Sequence, residues 1–250
     1  MRVVTAADDR VRDGDHARHA GPVALVGSGE FTTAAEDVDR ALLQGREQKV
    51  VFLPTAAAPE GEERLAYWVD LGRTHYRRLG VPATPLLVLD RDDADRSELA
   101  EQVAGAGLVY LSGGDPTYLA QTLAGSRVGD AILAAWRGGA ALAGCSAGAI
   151  ALTDSVPDIR RGRPTVPGLG VVRSLMVIPH FDRIERWAPG VVARAVEAIP
   201  DGVHLVGVDE DTAIVGGPAE WRVMGRLAAW VLRRGADPER YGDGQALRLS

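Results

Sequence analysis

Cysteine occurs once in this chain, at position 145. An internal disulfide is therefore excluded, and so are zinc sites assembled from several cysteines. Without a disulfide framework, cytoplasmic residence is the default expectation. Basic tracts are also missing: lysine and arginine are scattered, and the formal net charge is −6. Nucleic acid is accordingly not an expected partner. No apolar run reaches the roughly 18 residues that a membrane-crossing helix requires, so a soluble protein with no membrane partner is expected. Residues 1–20 lack the apolar stretch of a signal peptide and are crowded with Asp8, Asp9, Arg10, Arg12, Asp13, Asp15, His16, Arg18 and His19. They read as a flexible tail. The chain is 46% hydrophobic and 25% charged, ordinary values for a folded protein. Residues 21–250 are expected to form a single α/β domain.

Two ligand motifs are approached but not completed. Gly27-Ser28-Gly29 follows the apolar run Val23–Val26, yet a dinucleotide loop needs a third glycine at position 32, where Thr32 stands. The acidic stretch 90–95 lacks the glycine and terminal glutamate of a calcium loop, so helix capping is the expected role. The sequence calls for no metal and no organic cofactor.

What is present is an alternation of short apolar runs and helical patterns. Strands are expected at Val23–Val26, Val50–Leu53, 81–89 and 107–111. The prolines at 82 and 85 put the third of these near a sheet edge. Helices are expected from about Thr33 to Leu43, with Glu36 closing a capping box on Thr33, and over 62–79, 116–124 and 127–137. Asp115 is placed to cap the third of these, whose first residue is Pro116. Such alternation predicts a mostly parallel sheet with helices on both faces and ligands beyond the C-terminal strand ends. After Ala213 the chain reads as antiparallel strands near 213–216, 221–225 and 227–232, and 236–250 reads as loop.

The chemistry concentrates at residues 140–150. Small apolar residues lead into Gly144-Cys145-Ser146-Ala147-Gly148, a Gly-x-Ser-x-Gly spacing that suits a nucleophile elbow between strand and helix. A plain small-residue turn would carry the same spacing, so partners decide. A serine hydroxyl needs a base to take its proton. His180 follows a strand-like run at 175–178, His204 precedes another at 205–208, and His75 lies in a helical pattern where an exposed face is expected. Placement favours His180. The orienting carboxylate is open among Asp209, Glu210 and Asp211, with Asp154 and Asp158 competing. Cys145 is a second candidate nucleophile, but that register would need glycines at 143 and 147, where alanines stand.

Four segments together resemble the dipeptidase E and cyanophycinase group of serine peptidases. They are Leu111-Ser112-Gly113-Gly114-Asp115, the 144–149 elbow, Pro179-His180-Phe181 and Val208-Asp209-Glu210-Asp211-Thr212-Ala213. The resemblance spans most of 21–225. It implies a flavodoxin-like fold of the class I glutamine amidotransferase type, with Ser146 as nucleophile, His180 as base and Glu210 as acid. The oxyanion donors would be Gly114 and Ala147, with Gly113 and Asp115 beside the substrate. In dipeptidase E an aspartate between nucleophile and histidine has been favoured as the acid, and Asp158 is the nearest counterpart here. Pro-His-Phe looks like the aspartyl dipeptidase branch, whereas Arg186, six residues after His180, matches the cyanophycinase branch. The implied activity is hydrolysis of small peptides or isopeptides at aspartyl residues, with a small peptide as partner and a homodimer as the assembly. Arg160, Arg161 and Arg163, or Arg183 or Arg186, would bind a substrate carboxylate. The alternatives are a Cys145-dependent amidotransferase-like enzyme and a non-catalytic binding or regulatory protein that keeps the fold.

Overall fold

The computed structural model describes residues 20–158, 163–217 and 220–249. In chain order the strands are β1 (Val23–Val26), β2 (Val50–Leu53), β3 (Ala83–Pro85), β4 (Leu108–Leu111), β5 (Ala141–Cys145), β6 (Ser155–Asp158), β7 (Arg163–Pro167), β8 (Leu175–Ile178), β9 (His204–Val208), β10 (Thr212–Gly216), β11 (Trp221–Gly225), β12 (Ala228–Leu232) and β13 (Glu239–Gly242). Among the described residues, a seven-stranded sheet runs β11-β10-β1-β5-β4-β2-β3. Its members from β1 to β3 pair in parallel, while β10 and β11 are antiparallel. The apolar runs of β1, β2, β4 and β5 are buried throughout, as strands covered on both faces must be.

Side chains alternate between the two faces. Leu25, Val51, Leu53, Val109, Leu111 and Leu142 enter one core, and Ala24, Val26, Phe52, Tyr110 and Cys145 enter the other. The second core is covered by α1 (Glu36–Leu43) and α2 (Glu62–Leu79), through Val38, Leu42 and Tyr76. After α3 (Arg91–Ala94) and α4 (Ser97–Glu101), the helices α5 (Pro116–Leu123), α6 (Arg127–Arg137) and α7 (Ala147–Ala151) cover the first core, through Leu119, Ile132 and Ala149. The Asp115 side chain caps α5 at Tyr118 N, and Asp90 caps α3 at Asp93 N. No helix among the described residues is long and apolar enough to cross a membrane.

A second sheet of four strands, β13-β12-β9-β8, is built from the C-terminal third of the chain. The helices α8 (Phe181–Trp187) and α9 (Val191–Glu197) pack on it around Ile178, Leu205 and Leu232. The chain leaves this sheet at β9, enters the large sheet as β10 and β11, and returns as β12.

Several expectations are corrected. The third strand spans three residues rather than 81–89, and it lies at the sheet edge as anticipated. Pro82 before it has no N–H to donate, and beyond Leu86, whose N–H still reaches Phe52 O, the chain turns so that Val88 N donates to Leu86 O. Residues 33–35 form a 3₁₀ turn, so the capping box is absent: Thr32 Oγ1 donates to Gly29 O at 2.7 Å, and Glu36, opening α1, accepts from Arg78. His75 is fully buried, with Nε2 2.7 Å from Asp39 Oδ2, on the face of α2 that also carries Gly72 and Tyr76. The stretch 236–250 holds β13, a charged edge strand without an apolar alternation to betray it.

Candidate active site

β5 delivers Ser146 into a sharp turn with φ 49° and ψ −105°, a region that non-glycine residues rarely occupy. Such backbone strain costs on the order of 1–3 kcal/mol and persists where surroundings impose it. Here the two flanking glycines impose it. A Cβ on Gly144 would lie 2.4 Å from Gly148 C, and one on Gly148 would lie 2.2 Å from Leu111 O. Strand and helix therefore close to backbone contact around the serine, whose own N–H donates to Val26 O at 2.9 Å.

His180 follows β8 and opens α8 in a left-handed conformation, φ 50° and ψ 39°. Its Nε2 lies 3.1 Å from Ser146 Oγ, and its Nδ1 lies 3.0 Å from Glu210 Oε1. Glu210 sits in the crossing from β9 to β10, where the chain passes between the two sheets. The glycines at 27 and 29 make that crossing fit: a Cβ on Gly27 would lie 2.1 Å from Asp209 O, and one on Gly29 would lie 2.2 Å from Asp211 Oδ1. Close backbone approach accounts for Gly27, and a φ of 84° beside the Asp211 carboxylate accounts for Gly29.

Asp209 and Asp211, the neighbours of Glu210, are occupied elsewhere. Asp209 is buried and accepts from Trp230 Nε1 and Ala228 N, and burial pushes its carboxyl above the usual range. Asp211 pairs with Arg226, and Asp154 is exposed. Asp158 lies in β6 opposite Arg163. Arg160 and Arg161 fall outside the described residues.

On the other side of Ser146, the turn after β4 supplies backbone donors. Gly114 has φ 142°, and a Cβ there would lie 2.3 Å from Ala56 O. Asp115 N donates to that same Ala56 O at 2.8 Å. The N–H groups of Gly114 and Ala147 meet no acceptor among the described residues. Gly113 is wedged close by, its side-chain position 3.5 Å from Ser146 Cβ.

Cys145 points away from this cleft into the core and is fully buried. Burial first, then the neighbouring Glu30 carboxylate, push its thiol well above the usual range. A thiol held protonated is a poor nucleophile. Arg183 is held by Asp182 at 2.9 Å and lies 3.7 Å from Glu210 Oε2, so its charge faces a carboxylate already in place. Arg186 is exposed on α8.

Three residues near the reacting atoms carried no readable signal in the sequence. Asp182 Oδ1 accepts from Glu210 N at 2.9 Å and fixes that crossing. Trp187, half exposed, meets the His180 ring edge-on with centroids 5.1 Å apart. Glu30 bridges Gly113 and Cys145. Among the described residues no group of three or more histidine, cysteine or carboxylate side chains could hold a metal ion. In chemical terms the arrangement offers a hydroxyl, an imidazole beside it, a carboxylate behind the imidazole and two undirected N–H donors.

Known proteins resemble this chain in sequence and in fold. The model of peptidase family S51 matches residues 23–220. The cyanophycinase of Synechococcus elongatus is 27% identical over 227 residues, covering 84% of this chain and 67% of that protein. That of Trichormus variabilis is 29% identical over 163 residues, covering 60% and 53%. Among solved structures, a peptidase from an acI-B1 Actinobacterium superposes with a TM-score of 0.84 at 37% identity, over 92% of this chain and 98% of the other. A putative peptidase E protein from Listeria monocytogenes EGD-e shares the fold, with a TM-score of 0.57 at 17% identity over 89% of this chain and 100% of the other. With four-fifths of its length inside that family model and a near full-length structural counterpart, the chain belongs to peptidase family S51 and is a serine-type peptidase.

Proposed function

We propose that the protein hydrolyses small peptides or isopeptides at aspartyl residues through Ser146, His180 and Glu210. The observation that supports this most is the unbroken hydrogen-bond path from Ser146 Oγ through the imidazole to Glu210 Oε1, with links of 3.1 and 3.0 Å. A carboxylate only accepts, so Glu210 keeps a proton on Nδ1 and leaves Nε2 to receive the serine proton. Oγ attacks the substrate carbonyl, and the developing oxyanion takes the Gly114 and Ala147 N–H groups. The imidazolium then returns its proton to the leaving amine. Water, activated by the same imidazole, hydrolyses the acyl-enzyme and restores the serine.

The aspartyl preference rests on cationic side chains beside this machinery and on the relatives named cyanophycinase. Arg186, exposed on the helix that His180 opens, is one candidate to meet a substrate carboxylate. Arg160, Arg161 and Arg163 extend the candidates along the 155–167 segment. The test is to compare hydrolysis of Asp-X and Asn-X dipeptides and of β-aspartyl-arginine by the wild type and by Arg→Ala variants at 160, 161, 163, 183 and 186. A preference for the acidic substrates that collapses in at least one variant supports the reading. A preference intact in all five defeats the arginine assignment, and equal rates on Asp-X and Asn-X defeat the aspartyl specificity.

A further inference from the structure

Glu30 is a carboxylate placed where none is needed for the reaction just described. It is 5% exposed and stands beneath the cleft rather than in it. Its two oxygens are divided between a loop and the end of a strand. Oε1 accepts from Gly113 N at 2.9 Å, and Oε2 accepts from Cys145 Sγ at 2.8 Å. One partner immediately precedes Gly114, and the other immediately precedes Ser146. A single side chain from the turn after β1 thus ties the turn after β4 to the last residue of β5.

The consequence falls on the peptide that carries the Gly114 N–H. That peptide joins two glycines and is intrinsically free to turn over, because glycine tolerates both signs of φ. Here it is held on both sides. Upstream, Gly113 N is fixed by Glu30; downstream, Asp115 N is fixed by Ala56 O at 2.8 Å. Between these anchors, the Gly114 N–H alone is left without an acceptor among the described residues. Gly113 is also pressed between Glu30 and the nucleophile: its side-chain position lies 3.0 Å from Glu30 Oε1 and 3.5 Å from Ser146 Cβ.

Glu30 is itself held firmly. Phe31 is fully buried against Tyr110 and Phe52, with ring centroids 5.0 and 5.3 Å apart, and it takes a φ of 63° to reach that position. The described non-glycine residues with positive φ are Phe31, Ser146, His180 and Asp211. Two of these are the nucleophile and the imidazole, and the third follows Glu210. Phe31 follows Glu30 in the same way. Strain of this kind persists where surrounding contacts impose a geometry that function uses.

We infer that Glu30 is a positioning residue that presets the oxyanion hole by clamping the Gly113–Gly114 turn to the strand end that precedes the serine. The inference rests on the serine-hydrolase reading of Ser146 and deepens it. It also gives Cys145 a role, as the donor that secures the second arm of the clamp.

Fluorophosphonate labelling of Ser146 reads the hole without a known substrate, since the phosphoryl oxygen occupies the oxyanion position. Glu30→Met fills the same space but leaves both donors unpaired. Its second-order labelling rate is expected to fall by about 10- to 100-fold, because misplacing a transition-state donor by about an ångström costs rate on that scale. The pH profile of labelling should keep its shape, since Glu30 touches neither Ser146 nor His180. Glu30→Gln keeps an acceptor for Gly113 and is expected to lose clearly less than Glu30→Met, within about tenfold of wild type, since a neutral hydrogen bond replaces a charge-assisted one. Cys145→Ala, which keeps the Gly113 arm, should lose less than Glu30→Met. A Glu30→Met protein that melts as a folded protein and labels at the wild-type rate overturns the clamp, as does a Gln variant as slow as the Met one. Should the Met variant not fold, amide exchange in the wild type decides: Gly113 N–H protected and Gly114 N–H open supports the clamp, and a rapidly exchanging Gly113 defeats it. A wild type that does not label strikes the serine reading itself, an outcome distinct from equal labelling of wild type and variant.

Discussion

The two halves of the candidate site are made differently. The serine half hangs from the large sheet: Ser146, Ala147, Gly113 and Gly114 follow β5 and β4, and Glu30 and Cys145 beneath them are buried. The histidine half hangs from the small sheet, where His180 follows β8 and Glu210 follows β9. It is open to solvent, with His180 21% and Glu210 27% exposed and Arg183 near half. The first half is ordered by backbone contact, glycine by glycine. The second adds ion pairs and side-chain hydrogen bonds to the glycine contacts beneath the Glu210 crossing. Electrostatic preorganisation is strongest where water is excluded, so the serine half should respond sharply to small changes and the histidine half should respond in proportion to the proximity of the change to the imidazole.

The largest effect should follow from Gly114→Ala. A Cβ there meets Ala56 O at 2.3 Å and cannot hold a φ of 142° without strain, so the turn must shift. Loss of one oxyanion donor is expected to lower kcat by roughly 10²- to 10³-fold with KM little changed, as steady-state kinetics will show. Glu210→Gln is next. It leaves the imidazole in place but lets an amide N–H face Nδ1, favouring the wrong tautomer. Because Glu210 is partly hydrated, a loss of about 10- to 100-fold is expected, smaller than the effect reached when such a carboxylate is fully buried. The smallest should be Arg183→Ala. Its 3.7 Å approach to Glu210 is an exposed ion pair, worth about 1 kcal/mol or less and screened by salt. Activity should change by less than about fivefold, and the difference from wild type should shrink in 0.5 M salt, where the screening length is only about 4 Å. An Arg183→Ala effect larger than that of Gly114→Ala would reverse the comparison.

The same division governs what could be read from the amino-acid sequence. Gly144, Ser146 and Gly148 announced the elbow because the residue types at that spacing are themselves the signal, although only Gly144 closes on its own turn and Gly148 is pressed by Leu111 O of the neighbouring strand. Gly113, Gly114 and Asp115-Pro116 were legible because paired glycines after a strand and Asp-Pro at a helix start are recognisable types, although the groups that press on the two glycines, Glu30 and Ala56, lie far along the chain. The parallel core strands were legible as unbroken apolar runs. His75 was misplaced because its burial is decided by Asp39, 36 residues away on another helix. Glu30 and Asp182 were invisible because each acts on a backbone N–H far along the chain, at Gly113 and at Glu210. The strand β13 escaped because charged edge strands lack the alternation that marks a buried one. A glycine-tight turn leaves residue types behind; a distant side-chain bond leaves only a polar residue among many.

The most direct test is fluorophosphonate labelling of the folded protein, mapped by peptide mass spectrometry, across pH 5 to 8. The account predicts a label on Ser146 that is abolished in Ser146→Ala and retained in Cys145→Ala. Its rate should fall as pH drops, because only a neutral imidazole can take the serine proton. Iodoacetamide should leave Cys145 unmodified until the protein is unfolded, since burial and the Glu30 charge keep the thiol protonated. A folded protein that takes no label at Ser146, or one whose Cys145 is alkylated in the native state, would contradict the central claim that Ser146 is the activated nucleophile.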